Sequence, residues 1–114
     1  NNLSNFLIKE FTEESSKKSI KFFRSYGAHG YIIWLTIISY FLDKKKLFIE
    51  NIIEIASIYA SRRTIIDFIN KGNEEGFLKK EVSEEDKRKV LITPTDSTLD
   101  EYNDWAEYFI SNIK

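Results

Sequence analysis

The sequence predicts a mainly α, α+β fold in which a helix-turn-helix runs straight into a short β-hairpin, with helices on either side. Three observations predict it. Residues 61–76, SRRTIIDFINKGNEEG, have helical apolar spacing and cap residues at both ends. A shorter apolar stripe, Phe48, Ile49, Ile52, Ile53 and Ala56, precedes them across the tight connection Ile58-Tyr59-Ala60. Directly after Gly76 the apolar period changes to that of strands, with a polar turn between two short runs.

A chain of 114 residues is long enough for one core and too short for two. The expectation is a single domain over 1–114, with N-terminal helices in 1–26, the helix-turn-helix and hairpin in 27–93, and a C-terminal helix in 94–114.

In chain order, Leu3, Phe6, Leu7 and Phe11 suggest a first amphipathic helix, and the polar run 12–18 reads as a solvated break. Ile20, Phe22 and Phe23 resume the apolar signal as far as Gly27. Gly27-Ala28-His29-Gly30 is a turn signal, and its lone histidine, with no visible partner, reads as a loop or capping residue. Residues 31–43 are apolar almost all round, which marks a helix buried on most faces and central to the core. Core packing explains that helix better than a ligand pocket does. Lys44, Lys45 and Lys46 suit the negative end of its dipole and form an exposed corner, either a solvated turn or a phosphate contact.

Ser61 can cap the next helix through its hydroxyl, and Gly76 supplies the left-handed residue that commonly stops one. Ile65, Phe68, Ile69 and Gly72 make the inward stripe. Arg62, Arg63, Thr64, Asp67, Asn70 and Lys71 lie opposite. A short helix with an apolar back, a polar front and two arginines at its start is what a major groove accepts. Strands are expected over 77–82 and 87–92 around a turn at 83–86, so that Lys87, Arg88 and Lys89 open the returning strand. Pro94 is expected to end the hairpin, and Asp96 or Ser97 to cap the last helix. Leu99, Tyr102, Trp105, Ala106, Phe109, Ile110 and Ile113 mark that helix as long and amphipathic.

Composition narrows the function classes. There is no cysteine, which removes disulfides and thiolate metal sites and fits a reducing compartment. With one histidine, no phosphate-binding glycine loop and no metal-ligand spacing, neither an enzyme nor a metal or cofactor site is expected. The longest apolar run, 31–42, falls short of the roughly 20 residues a membrane span needs. A protein of the cytoplasm with no membrane partner is therefore expected. No methionine occurs, so residue 1 is not an initiator and a trimmed chain is expected. Net charge is −1, but residues 94–114 alone carry −4. The acidity is concentrated where it need not face a polyanion.

Thr64 to Gly76, followed by Phe77-Leu78 and Asp86-Lys87-Arg88, resembles the MarR-type winged helix-turn-helix regulators. The family pattern is Ser-x-x-Thr, an apolar-spaced helix with a Gly-Leu ending, a wing with Asp-x-Arg and a strand ending in Thr. Ser61 and Thr64, Gly76 and Phe77, Asp86 and Arg88, and Thr93 or Thr95 match it, over roughly residues 47–95. The resemblance implies a DNA-binding transcriptional regulator, usually a homodimer joined by its N- and C-terminal helices. The second helix would enter the major groove and Arg88 the adjacent minor groove, oriented by Asp86. A narrow minor groove attracts a guanidinium. The sequence departs from the pattern at Tyr59, where the turn often has glycine, and at Gly72, which replaces a core leucine. Ile66 and Asp67 stand where polar or basic groups are commoner.

The expected contact set for double-stranded DNA is then Ser61, Arg62, Arg63, Thr64, Asp67, Asn70 and Lys71 on the helix, with Lys79, Lys80, Lys87, Arg88 and Lys89 on the hairpin. Positive charge is unfavourable at a helix start, so an anion, a phosphate or a nearby carboxylate, should compensate Arg62 and Arg63. The hairpin lysines suit phosphate and a solvated strand about equally. More apolar face than one core uses favours a homodimer, with Leu3, Phe6, Leu7, Leu99, Tyr102, Trp105, Phe109, Ile110 and Ile113 at its interface. The alternative is a winged-helix protein-interaction module without significant DNA affinity. A small-molecule effector near Tyr31 and Trp34 is a third reading, with no ligand named.

Overall fold

The structure, a computed structural model, describes residues 2–12 and 17–113; the side chains of 10–12 and 112–113 stand outside that description. Among the described residues six helices surround one antiparallel hairpin. They run α1 (Asn2–Thr12), α2 (Lys18–Ser25), α3 (Gly27–Leu42), α4 (Ile49–Ala56), α5 (Arg62–Glu74), β1 (Leu78–Val82), β2 (Val90–Pro94) and α6 (Asp96–Ile113). This is the mainly helical, winged helix-turn-helix architecture expected. The break expected at 12–18 covers residues 13–16, which lie outside the described set, and α2 starts after an extended Lys17.

The glycine-rich turn expected at 27–30 is instead the first turn of α3. The chain bends only at Tyr26 and at Gly27, where φ is +74°. Gly30 is needed for a close approach and makes no turn. A Cβ there would stand 2.1 Å from the Phe23 carbonyl oxygen, so glycine lets α2 and α3 cross backbone against side. The composition that signals turns signals tight helix contacts equally well.

As expected, α3 is the central helix: Ile33, Trp34, Ile37 and Ile38 are buried and meet Phe23 of α2, Ile52 and Ile53 of α4, and Ile92 of β2 in one cluster. It ends at a left-handed Lys44, φ +59°, with the Lys45 N–H donating to the Tyr40 carbonyl at 2.8 Å. Residues 47 and 48 then add a third rung to the sheet. Ile92 donates its N–H to the Leu47 carbonyl at 2.9 Å, and Phe48 bridges Leu91. Two residues are too few to leave a strand period in the sequence.

The hairpin pairs Leu78 with Pro94 and Val82 with Val90. One expectation fails here. Lys87, Arg88 and Lys89 lie in the wing tip rather than on β2, because the Asp86 carboxylate accepts from the Arg88 N–H at 3.0 Å and the Lys89 N–H donates to the Asp86 carbonyl at 2.9 Å. That local turn outcompetes strand pairing. As expected, Pro94 ends the hairpin, as the last residue of β2, where at a strand end it need not donate to the ladder. The cap of α6 is Thr95 and neither Asp96 nor Ser97: its hydroxyl accepts from the Thr98 N–H at 3.4 Å. Both threonines also reach back, donating to the Gly76 carbonyl (2.9 Å) and the Phe77 carbonyl (2.7 Å), and so fix α6 to the end of α5.

Candidate nucleic-acid interface

The two helices α4 and α5 are joined by residues 57–61. The turn closes with the Tyr59 and Ala60 N–H groups donating to the Ala56 carbonyl, at 2.9 and 3.2 Å. Tyr59 is not left-handed, so the turn forms without the glycine that the resemblance led one to expect. The α5 helix starts where Ser61 places it: the Ser61 hydroxyl oxygen accepts from the Thr64 N–H at 3.2 Å. Ile65, Phe68, Ile69 and Gly72 are buried, and Gly76, φ +82°, follows the helix end.

The missing side chain at Gly72 has a local reason. A Cβ would stand 2.9 Å from Leu78 Cδ2 and 3.3 Å from Phe22 Cε2. The space of the expected leucine is taken by these two neighbours, and Phe22 stacks on Phe68 with ring centroids 5.1 Å apart.

Opposite that packed back, Ser61, Arg62, Arg63, Thr64, Asp67 and Lys71 are exposed and Asn70 is half-buried. They form one polar front along α5. The hairpin stands beside it, joined by Lys80, whose Nζ donates to Asn70 Oδ1 at 2.6 Å. Lys79, Lys87, Arg88 and Lys89 are exposed on the same hairpin, and Lys89 Nζ lies 5.3 Å from the Phe48 ring centroid. At the tip, Asp86 Oδ1 accepts from Arg88 Nε at 3.2 Å as well as from its backbone N–H. These bonds hold the Asp86 carboxyl below its usual pKa, the backbone bond most.

The anion that compensates the helix-start arginines is, for Arg62, a carboxylate of the same chain. Arg62 Nη1 donates to Glu50 Oε2 at 2.9 Å, and Nη2 to Glu50 Oε1. Arg63 is held more loosely, 4.0 Å from Asp67 one turn on, and Lys71 pairs with Glu75 at 3.2 Å. Glu50 is the residue that sequence reasoning missed. It lies twelve positions from Arg62 on another helix, a separation at which no periodicity announces a pair.

On α1, Phe6 is buried in its own chain, packing edge-on against Phe109 (centroids 5.0 Å) and near Tyr108. Leu7, Tyr102, Trp105, Leu99 and Phe109 are half-buried, while Leu3 and Ile110 are exposed. The Ile113 side chain lies outside the described residues. No group of metal-ligating side chains, and no helix long and apolar enough to cross a membrane, occurs among the described residues.

Among solved structures the chain is similar to the heme sensor protein PefR from Streptococcus agalactiae in complex with heme (TM-score 0.60, 17% identity, 96% of this chain and 72% of that one). It is similar too to the PcaV transcriptional regulator from Streptomyces coelicolor in complex with its natural ligand (TM-score 0.52, 18% identity, 84% and 57%). A third is Bordetella bronchiseptica BpsR, whose DNA binding is regulated by 6-hydroxynicotinic acid (TM-score 0.53, 13% identity, 96% and 76%). No family model matches the sequence, and no curated protein does. At these identities the likeness establishes the fold, the winged helix-turn-helix of the MarR-type regulators.

Proposed function

We propose that the chain is a sequence-specific double-stranded DNA-binding transcriptional regulator, not an enzyme, that acts as a homodimer with α5 in the major groove and the wing in the adjacent minor groove. The observation that carries this reading is the Lys80–Asn70 bond between β1 and α5. It joins the wing strand to the polar front of α5, which supports both addressing one stretch of duplex. The fold shared with PcaV and BpsR supports it. An effector reading has weaker support: an open apolar depression of about 320 Å³ lies among Arg24, Gly27, Ala28, Tyr31 and Ile32. A rise in melting temperature with small aromatic acids is the measurement for it, and no rise removes it.

The test of the main reading is a salt titration of binding to duplex DNA. Affinity should fall linearly on logarithmic axes, and Arg63→Ala and Arg88→Ala should each reduce the slope by about 0.9, one phosphate contact apiece. Binding that is absent, or indifferent to salt and to both substitutions, would leave a winged-helix protein-interaction module in its place.

A further inference from the structure

Arg62 and Arg63 are adjacent in sequence and exposed, yet they are held differently. Both Nη atoms of Arg62 are engaged end-on by the two oxygens of Glu50. Arg63 has a single 4.0 Å approach to Asp67 and a side chain 92% exposed. Glu50 stands in the first turn of α4 and Arg62 is the first residue of α5, so the pair ties together the starts of the two helices of the motif. Bidentate geometry is what lets an exposed ion pair persist, because the planar fork is fixed by two bonds at once. With both Nη atoms used end-on, the Nε–H and the second proton on each Nη remain as donors.

We infer that Glu50 is a positioning residue for DNA reading, one that neutralises Arg62 and aims its remaining donors at paired acceptors on a base edge, the pattern guanine presents in the major groove. The inference rests on the DNA reading above and deepens it. A guanidinium neutralised by a bound carboxylate has little attraction for phosphate. Affinity for arbitrary sequence therefore falls, and is recovered only where Arg62 meets two acceptors at the right spacing. Arg63 is left for the backbone. The Arg62 hydrogen bond also holds the Glu50 carboxyl below the usual carboxylate range.

Three variants of the full chain test this: Glu50→Gln, Arg62→Ala and the two combined. On a random-sequence duplex, Glu50→Gln should steepen the salt slope by about 0.9, a change of roughly 3–4-fold in relative affinity between 50 and 200 mM salt. The preference for a duplex selected from a randomised pool over the random one should fall about tenfold, the worth of one bidentate base contact. In the Arg62→Ala background, Glu50→Gln should leave the preference for the selected duplex unchanged, although it still removes a bare carboxylate and so raises general affinity. A further fall in that preference there would overturn the inference, since Glu50 would then act without Arg62; so would an unchanged slope in the parent background. Nitrogen-15 NMR of the Arg62 guanidinium reads the pair without DNA. Restrained Nη signals in the parent chain should collapse in Glu50→Gln, and their absence from the parent chain overturns the inference even if DNA binds. Restrained signals in a chain with no salt-dependent DNA binding would instead defeat the DNA reading.

Discussion

At the scale of single residues, Gly72 shows how packing reverses a propensity. In an exposed helix, alanine is favoured over glycine by about 1 kcal/mol. Here the added methyl would meet Leu78, 1% exposed, at 2.9 Å and Phe22 at 3.3 Å, and overpacking a close-fitted site costs about 1–3 kcal/mol. The crowding term is the larger. Gly72→Ala should lower stability by about 1 kcal/mol in urea denaturation, and a stabilised variant would show that β1 can give way without cost. Because β1 carries Lys80, the same shift should also loosen the bond to Asn70. Stability and the placing of the wing thus meet in one missing side chain.

At the scale of elements, the wing is tied to the body from both sides. The Thr98 side chain is fully buried, and its hydroxyl donates to the Phe77 carbonyl at 2.7 Å, where α5 hands over to β1. Thr98→Val keeps the shape and removes the donor, leaving that carbonyl with only a 3.4 Å bond from the Thr95 N–H. A buried polar group stripped of its best partner costs about 1–3 kcal/mol. A loss of about 1 kcal/mol in denaturation is expected, with faster amide exchange at the start of β1; unchanged exchange would mean that Thr95 alone holds the junction. This junction also shows what a sequence reveals. The α5 helix was legible in full, because Ser61, the stripe from Ile65 to Gly72 and Gly76 are local signals that agree. The hairpin was legible as a hairpin, but the place of Lys87, Arg88 and Lys89 was not, since the Asp86 turn competes with a strand period over only a few residues. Gly27 does bend the chain, as its left-handed φ of +74° shows, but Gly30 packs helix on helix, and in sequence a glycine for close helix contact and a glycine for a turn look alike. Glu50 and the Thr98 bond were illegible for a simpler reason: each joins residues far apart in the chain, and only the fold brings them together.

At the scale of the whole molecule, the described chain is elongated. Its extents are 47 × 27 × 22 Å and its radius of gyration 14.5 Å, against about 13 Å for a compact domain of this length. The α1–α6 pair uses its aromatic residues internally, through Phe6, Trp105 and Phe109, yet still exposes Leu3 (39%), Ile8 (59%), Tyr108 (56%) and Ile110 (50%). Large apolar side chains left exposed on two packed helices are unfavourable in water and are where we propose a second copy docks. A second copy related by a two-fold axis would cover them with the same residues and set two α5 helices on one side, about 34 Å apart for successive major grooves. The dimer is a proposal and its test is the mass in solution. The parent chain should scatter as two copies of 13.5 kDa, and Leu3→Glu with Ile110→Glu should scatter as one, with helix content kept because neither side chain is in the core. DNA binding should then weaken far more than a salt-slope change explains, since each copy would hold a single half-site. A monomeric parent chain, or a double variant that stays dimeric, would move the interface elsewhere on α1 and α6 or remove it.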